Sequence, residues 1–176
     1  MTYRNLLVER ADGLAVVTLN RPEKMNPLDG GMVRELREAA AALERDADTG
    51  VVIVTGAGRA FSAGGDLAGY LKLYRSPVEF RAFLQAFHDL LAALEASAKI
   101  YLAAVNGYCV AGGLELVLAC DLVLAGEGAQ IGDGHLNFGQ LPGAGGSQRL
   151  PRAIGVLRAK RLMFSGELLP ARECER

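Results

Sequence analysis

The sequence predicts an α/β fold in which strands are joined by crossover helices, in one domain spanning residues 1–176. Two observations predict it. Short continuous apolar runs, Val51–Val54 and Ile100–Val105, have the look of strands buried on both faces. Between and after them lie stretches with helical periodicity, and such alternation implies crossover connections and parallel pairing.

Along the chain, Leu6–Glu9 and Leu14–Leu19 read as a hairpin turning at Ala11-Asp12-Gly13. Arg21-Pro22 ends the second strand, and a polar loop follows to Pro27. Asp29 is a helix N-cap, followed by Met32, Val33, Leu36, Ala40 and Leu43 at helical spacing. After Val51–Val54 comes a Gly-rich loop, Gly56–Asp66. Pro77 to about Ala96 is a long helix carrying Phe80, Phe83, Leu84, Phe87, Leu91 and Leu94 on one side. Ile100–Val105 feeds a second glycine loop, a helix over about Gly112–Ala119, and a short strand at Leu122–Leu124. A third Gly-rich stretch, Pro142–Gly146, leads into helical sequence through Phe164.

Bulk properties exclude more than they assign. At 51% hydrophobic and 22% charged residues the chain is an ordinary globular protein. A formal net charge of -1 argues against nucleic-acid binding through bulk charge. Between Gly134 and Gly166 there are no acids, but Arg149, Arg152, Arg158, Lys160 and Arg161 all occur. That stretch reads either as a solvated helix face or as positive potential for a phosphate-bearing ligand. Cys109, Cys120 and Cys174 show no metal or disulfide spacing, which suggests reduced thiols in a cytoplasmic protein. No apolar run reaches the length of a membrane span.

Each glycine loop permits some chemistry. Gly56-x-Gly58 follows a strand, but a dinucleotide fingerprint needs a small residue where Phe61 stands. The small residues after Phe61 instead let backbone N–H groups approach a ligand closely. The second loop enters a helix whose first turn holds Gly112, Gly113 and Glu115. Free amides there suit an oxyanion. Glu115, amid apolar neighbours, reads either as a carboxylate complementing the helix dipole or as a general base with a raised pKa. By itself the third loop is an unassigned turn.

Together these segments resemble the crotonase superfamily, the enoyl-CoA hydratases and isomerases. The resemblance rests on Leu19-Asn-Arg-Pro-Glu-Lys-Met-Asn26, Ala60-Phe-Ser-Ala-Gly-Gly-Asp-Leu67, Ala104-Val-Asn-Gly-Tyr-Cys-Val-Ala-Gly-Gly-Leu-Glu-Leu116 and Gly139-Gln-Leu-Pro-Gly-Ala-Gly-Gly-Ser-Gln-Arg-Leu150. It implies a crotonase-like spiral of ββα units, lacking here the C-terminal helical segment that the family carries. It also implies an acyl-CoA substrate, a homotrimer or dimer of trimers, and chemistry next to a thioester carbonyl. The amides of Ala63 and Gly112 would form the oxyanion hole, each worth about 3–4 kcal/mol of barrier. Met25, Leu28, Ala60, Ser62, Gly64, Gly65, Asp66, Leu67 and Gly113 would contact substrate or coenzyme A. Coenzyme A enters as part of the substrate, and no other cofactor and no metal is implied.

Glu115 falls on one of the two catalytic glutamates of the hydratases. The other falls on His135, in Gly132-Asp-Gly-His-Leu136, where hydratases end in a Pro-Glu pair. This departure leaves several readings open. His135 serves as the second acid–base group, since imidazole titrates near neutrality, or Asp133 swings in to supply a carboxylate. Otherwise the site performs isomerisation, decarboxylation or thioester hydrolysis, or binds coenzyme A without turnover. A serine hydrolase built on Ser62, His135 and Asp133 is a further alternative, without a Gly-x-Ser-x-Gly elbow. His88 reads as structural. Tyr70, Leu71, Leu73 and Tyr74 read equally as acyl-pocket lining and as core.

Overall fold

The computed structural model describes residues 2–175. The chain opens with the hairpin of β1 (Leu6–Ala11) and β2 (Leu14–Leu19), turning through left-handed Asp12 and Gly13. A 3-10 turn at Pro22–Lys24 leads to α1 (Gly30–Glu44), where Asp29 Oδ1 accepts the Met32 N–H at 2.9 Å as the N-cap. Next come β3 (Val51–Gly56), β4 (Ala60–Ser62), α2 (Leu67–Leu73) and α3 (Pro77–Glu95). β5 (Ile100–Val105), β6 (Tyr108–Val110) and α4 (Gly112–Val117) follow. After β7 (Leu122–Ala125) and β8 (Gln130–Gly132), a 3-10 turn spans His135–Phe138. α5 (Gly146–Ile154), α6 (Val156–Ser165), β9 (Leu169–Pro170) and α7 (Ala171–Cys174) close the described chain.

Two sheets result. One has the order β1-β2-β3-β5-β7, parallel from β2 onward. The other has the order β4-β6-β8-β9, with β4, β6 and β8 parallel. Each of the pairs β3/β4, β5/β6 and β7/β8 therefore gives one strand to each sheet before helical chain follows. This is the repeating ββα unit, three times over.

Leu19, Leu28, Met32, Leu43, Val52, Leu90, Leu91 and Leu116 are fully buried between the larger sheet and helices α1, α3 and α4. Burying each such side chain contributes about 1.5–3 kcal/mol. Helix α3 divides its apolar side between two tasks. Phe83, Phe87, Leu90, Leu91 and Leu94 are buried, whereas Phe80 and Leu84 are partly exposed and line a cavity. The helical sequence through Phe164 is two helices, because Gly155 adopts φ 82° between α5 and α6. At the edge of the larger sheet, β7 leaves Leu122, Val123 and Leu124 at 55%, 48% and 62% exposure. No helix among the described residues is long and apolar enough to cross a membrane.

Candidate active site

The three glycine loops meet at a cavity of about 430 Å³. Its polar lining includes Gly65, Gly112, Glu115 and His135, and its apolar lining Tyr70, Tyr74, Phe80, Leu84 and Phe87. Tyr70 and Tyr74 therefore line the cavity. Leu71 does not, and is 68% exposed. Tyr74 packs edge-on against Phe80, with centroids 5.1 Å apart, and its hydroxyl accepts from Gln140 Nε2 at 2.6 Å. The Tyr70 ring packs so closely that a Cβ on Gly65 would meet its hydroxyl at 2.2 Å. Burial, reinforced by the nearby Glu115 charge, pushes the Tyr70 phenol up, so it remains a neutral donor.

Glu115 projects from the first turn of α4 and is 3% exposed. Its Oε1 accepts two backbone N–H groups, from Ala144 and Gly146, each at 2.8 Å. The otherwise unassigned third glycine loop is thereby explained: it wraps the carboxylate with amides. Burial pushes the Glu115 carboxyl up despite these two bonds and the neighbouring His135, which pull the other way. Its second oxygen, Oε2, lies 3.8 Å from His135 Nε2. His135 is itself buried, and its Nδ1 lies 3.1 Å from Asp133 Oδ2. Both proposed acid–base side chains thus converge on one cavity.

Three expectations need correction. The Ala63 N–H is not free: it donates to the Met25 carbonyl at 2.9 Å. Met25 is left-handed at φ 58°, and Gly64, at φ 89°, turns the chain between Ala63 and Gly65. The amide of this loop that reaches the cavity is that of Gly65, and no hydrogen bond occupies its N–H among the described residues. The same holds for Gly112 N–H, as expected. Helix α4 has only 6 residues, so the directed amide rather than a long macrodipole is what it supplies.

Asp133 does not swing into the cavity, because both its oxygens are held by His135. Nor does Ser62 form a hydrolase triad. Its hydroxyl is fully buried, donates to the Asn26 carbonyl at 2.8 Å and accepts the Gly64 N–H at 3.1 Å. Asn26 completes this brace by placing Nδ2 within 3.2 Å of the Ala57, Ala60 and Phe61 carbonyls.

Of the residues expected to contact substrate or coenzyme A, Gly65 alone lines the cavity. Leu28, Ala60, Ser62, Gly64 and Gly113 are buried in the packing beneath it. Met25 is half-buried, Leu67 is 41% exposed, and Asp66 lines a separate groove that also carries Arg34, Arg37 and Lys72. Tyr70 borders both spaces. The basic stretch is partly spent on structure. Arg149 forms a paired contact with Glu95 at 2.7 and 2.8 Å and also donates to the Ala144 carbonyl. Arg161 engages Glu167 and Glu173. His88 is half-buried beside the Gly145 turn and does not line the cavity.

Ala111, which precedes Gly112 and lines the cavity, adopts φ 53° and ψ -117°. A residue with a Cβ pays about 1–3 kcal/mol for such backbone. Ala111→Gly should therefore stabilise the chain by about 1 kcal/mol in thermal unfolding. An unchanged or lower midpoint would show that Ala111 is not strained.

The ββα spiral thus brings a buried glutamate, an imidazole and two amides that no hydrogen bond occupies among the described residues around one cavity, the architecture of one family of enzymes. The chain belongs to the enoyl-CoA hydratase/isomerase family, whose profile matches residues 9–176. A protein of Mycobacterium tuberculosis named "Probable enoyl-CoA hydratase echA8" is 40% identical over 176 residues, covering 100% of this chain and 67% of that protein. The crotonyl-CoA hydratase of Syntrophomonas wolfei is 37% identical over 177 residues, with the same coverage of 100% and 67%. The crystal structure of an enoyl-CoA hydratase from Bacillus anthracis superposes with a TM-score of 0.92 at 36% identity, over 98% of this chain and 67% of that one. The chain thus spans about two thirds of the length of these relatives.

Proposed function

We propose that this chain hydrates a 2-enoyl-CoA, with the thioester oxygen held by the Gly65 and Gly112 amides and protons handled by Glu115 and His135. The observation that carries the reading is the 3.8 Å approach of Glu115 Oε2 to His135 Nε2 in a cavity that also presents two unspent amides. Hydration needs an electron sink at the thioester oxygen, a base for water and an acid for Cα. Each free amide supplies about 3 kcal/mol toward the sink, because it favours the enolate over the neutral carbonyl. The names of the relatives support the same substrate class. The reaction draws on no cofactor beyond the coenzyme A carried by the substrate.

Assembly as a homotrimer or dimer of trimers belongs to this proposal, supported by the exposed apolar edge Leu122–Leu124. A cytoplasmic setting is supported by three cysteines that form no disulfide.

Loss of enoyl-thioester absorbance on adding crotonyl-CoA, followed by identification of the 3-hydroxyacyl product, tests the reading. We expect turnover. An acyl-CoA that binds but yields an isomerised, decarboxylated or hydrolysed product would replace hydration with that reaction. Binding with no product at all would leave a coenzyme A-binding protein.

A further inference from the structure

Three titratable side chains form a buried line, Asp133–His135–Glu115. Asp133 is 2% exposed, and both of its oxygens serve one neighbour. Oδ1 accepts the His135 backbone N–H at 3.3 Å, and Oδ2 lies 3.1 Å from His135 Nδ1. An ionised carboxylate only accepts, so with Asp133 in that form Nδ1 carries the proton, and a ring with no second proton presents its lone pair at Nε2. That lone pair faces Glu115 Oε2 across 3.8 Å. The gap is too long for a direct hydrogen bond and is one that a water can span. Glu115 Oε1 is already taken by two N–H donors, so a proton on this carboxyl sits on Oε2.

We propose that Asp133 is a positioning residue that fixes the Nδ1–H tautomer of His135, making His135 Nε2 the base toward water and leaving Glu115 as the proton donor to Cα. This rests on the hydration reading. The water oxygen bonds to Cβ while its proton passes to Nε2. The Cα=Cβ pair moves to the thioester oxygen, held as an enolate by Gly65 and Gly112. The enolate collapses as Cα takes the proton of the Glu115 carboxyl. Imidazolium and carboxylate then face each other, and Nε2–H returns its proton to Oε2 through the next water. Atoms and charge balance without any other reactant.

The inference separates from hydration itself because a tautomer is visible without turnover. The chain has 2 histidines, so the ¹⁵N NMR signals of His135 are assigned against a His88→Gln variant. Wild-type His135 should be protonated at Nδ1, and Asp133→Asn should move it toward the Nε2–H form. A wild-type Nε2–H ring, or a tautomer that ignores Asp133→Asn, overturns the proposal. In crotonyl-CoA turnover, Asp133→Asn should lower kcat about 10²-fold with KM within about threefold. In a His135→Ala background the same substitution should change nothing further. Losses that multiply would show that Asp133 acts apart from His135. If wild type fails to hydrate, the functional reading falls, and the tautomer still decides the role of Asp133.

Discussion

Glu115→Gln should lower crotonyl-CoA hydration about 10³-fold while making the protein more heat-stable at pH 8. The two effects share one cause. Glutamine keeps an acceptor oxygen for the Ala144 and Gly146 amides, so the wrap of the third loop survives. It cannot deliver a proton to Cα, so the enolate has no partner.

The stability gain follows from the carboxyl's folded-state pKa, which burial, the largest cause, pushes above the ordinary carboxylate range. A group whose pKa rises on folding adds stability below its unfolded value and loses it as pH climbs through the folded one. At pH 8, far above the range of an exposed carboxyl, the wild type therefore carries a cost, either of ionising this buried group or of taking up a proton to avoid it, and the variant carries neither. Near pH 4, where carboxyls of ordinary pKa of about 4.3 are largely protonated, the gain should vanish. Thermal unfolding of both proteins at the two pH values checks the sign. A variant less stable than wild type at pH 8 would mean that attraction to His135 outweighs desolvation. Activity within tenfold of wild type would remove Glu115 from the chemistry.

Much of the fold was legible because its larger elements obey long periodicities. Asp29 with Met32, Val33 and Leu36 gave α1 its start and its buried face, and Val51–Val54 and Ile100–Val105 were long enough to read as strands. The second sheet was not legible. β4, β6 and β8 have three residues each, too few for an alternation to show, and β4 and β6 lie inside stretches whose glycines read as loop. α2 was hidden for a related reason, since Gly69 interrupts it and its apolar side faces a cavity.

At the cavity, motif position anticipated Glu115, His135 and Gly112 together, and all three line it. In the first loop the Ala63 amide was expected at the cavity, but the one that lines it lies two residues on, at Gly65. In Ala63-Gly64-Gly65 no side chain marks which N–H turns outward. The Met25 carbonyl settles it from 38 residues away in sequence by taking the first one. Asp133 was read as a spare carboxylate because sequence cannot show that its oxygens are already committed to a neighbour two residues on.

Gly113→Ala should damage activity and stability together, more than its single methyl group suggests. A Cβ at this position would lie 2.6 Å from the Ser62 carbonyl oxygen and 3.0 Å from Ser62 Cβ. Neither atom yields easily. Ser62 pairs with Cys109 in the smaller sheet, and its hydroxyl is bonded to the Asn26 carbonyl. Relief requires α4 to lift away from β4, by several tenths of an ångström. Overpacking of this kind costs about 1–3 kcal/mol, or roughly 2–10 °C in the midpoint of a chain this long. The same movement carries Gly112 N–H and Glu115, both on α4, away from Gly65 N–H on the far side of the contact. A misplacement approaching 1 Å in a positioned site lowers the rate about 10²-fold. Gly30→Ala is the control, since a Cβ there meets nothing within 4 Å in the first turn of α1. That variant should keep wild-type turnover and midpoint. If Gly113→Ala behaves like the control, the contact between α4 and β4 does not set the spacing of the two amides. If its rate falls while its midpoint holds, the contact governs alignment at little cost to folding.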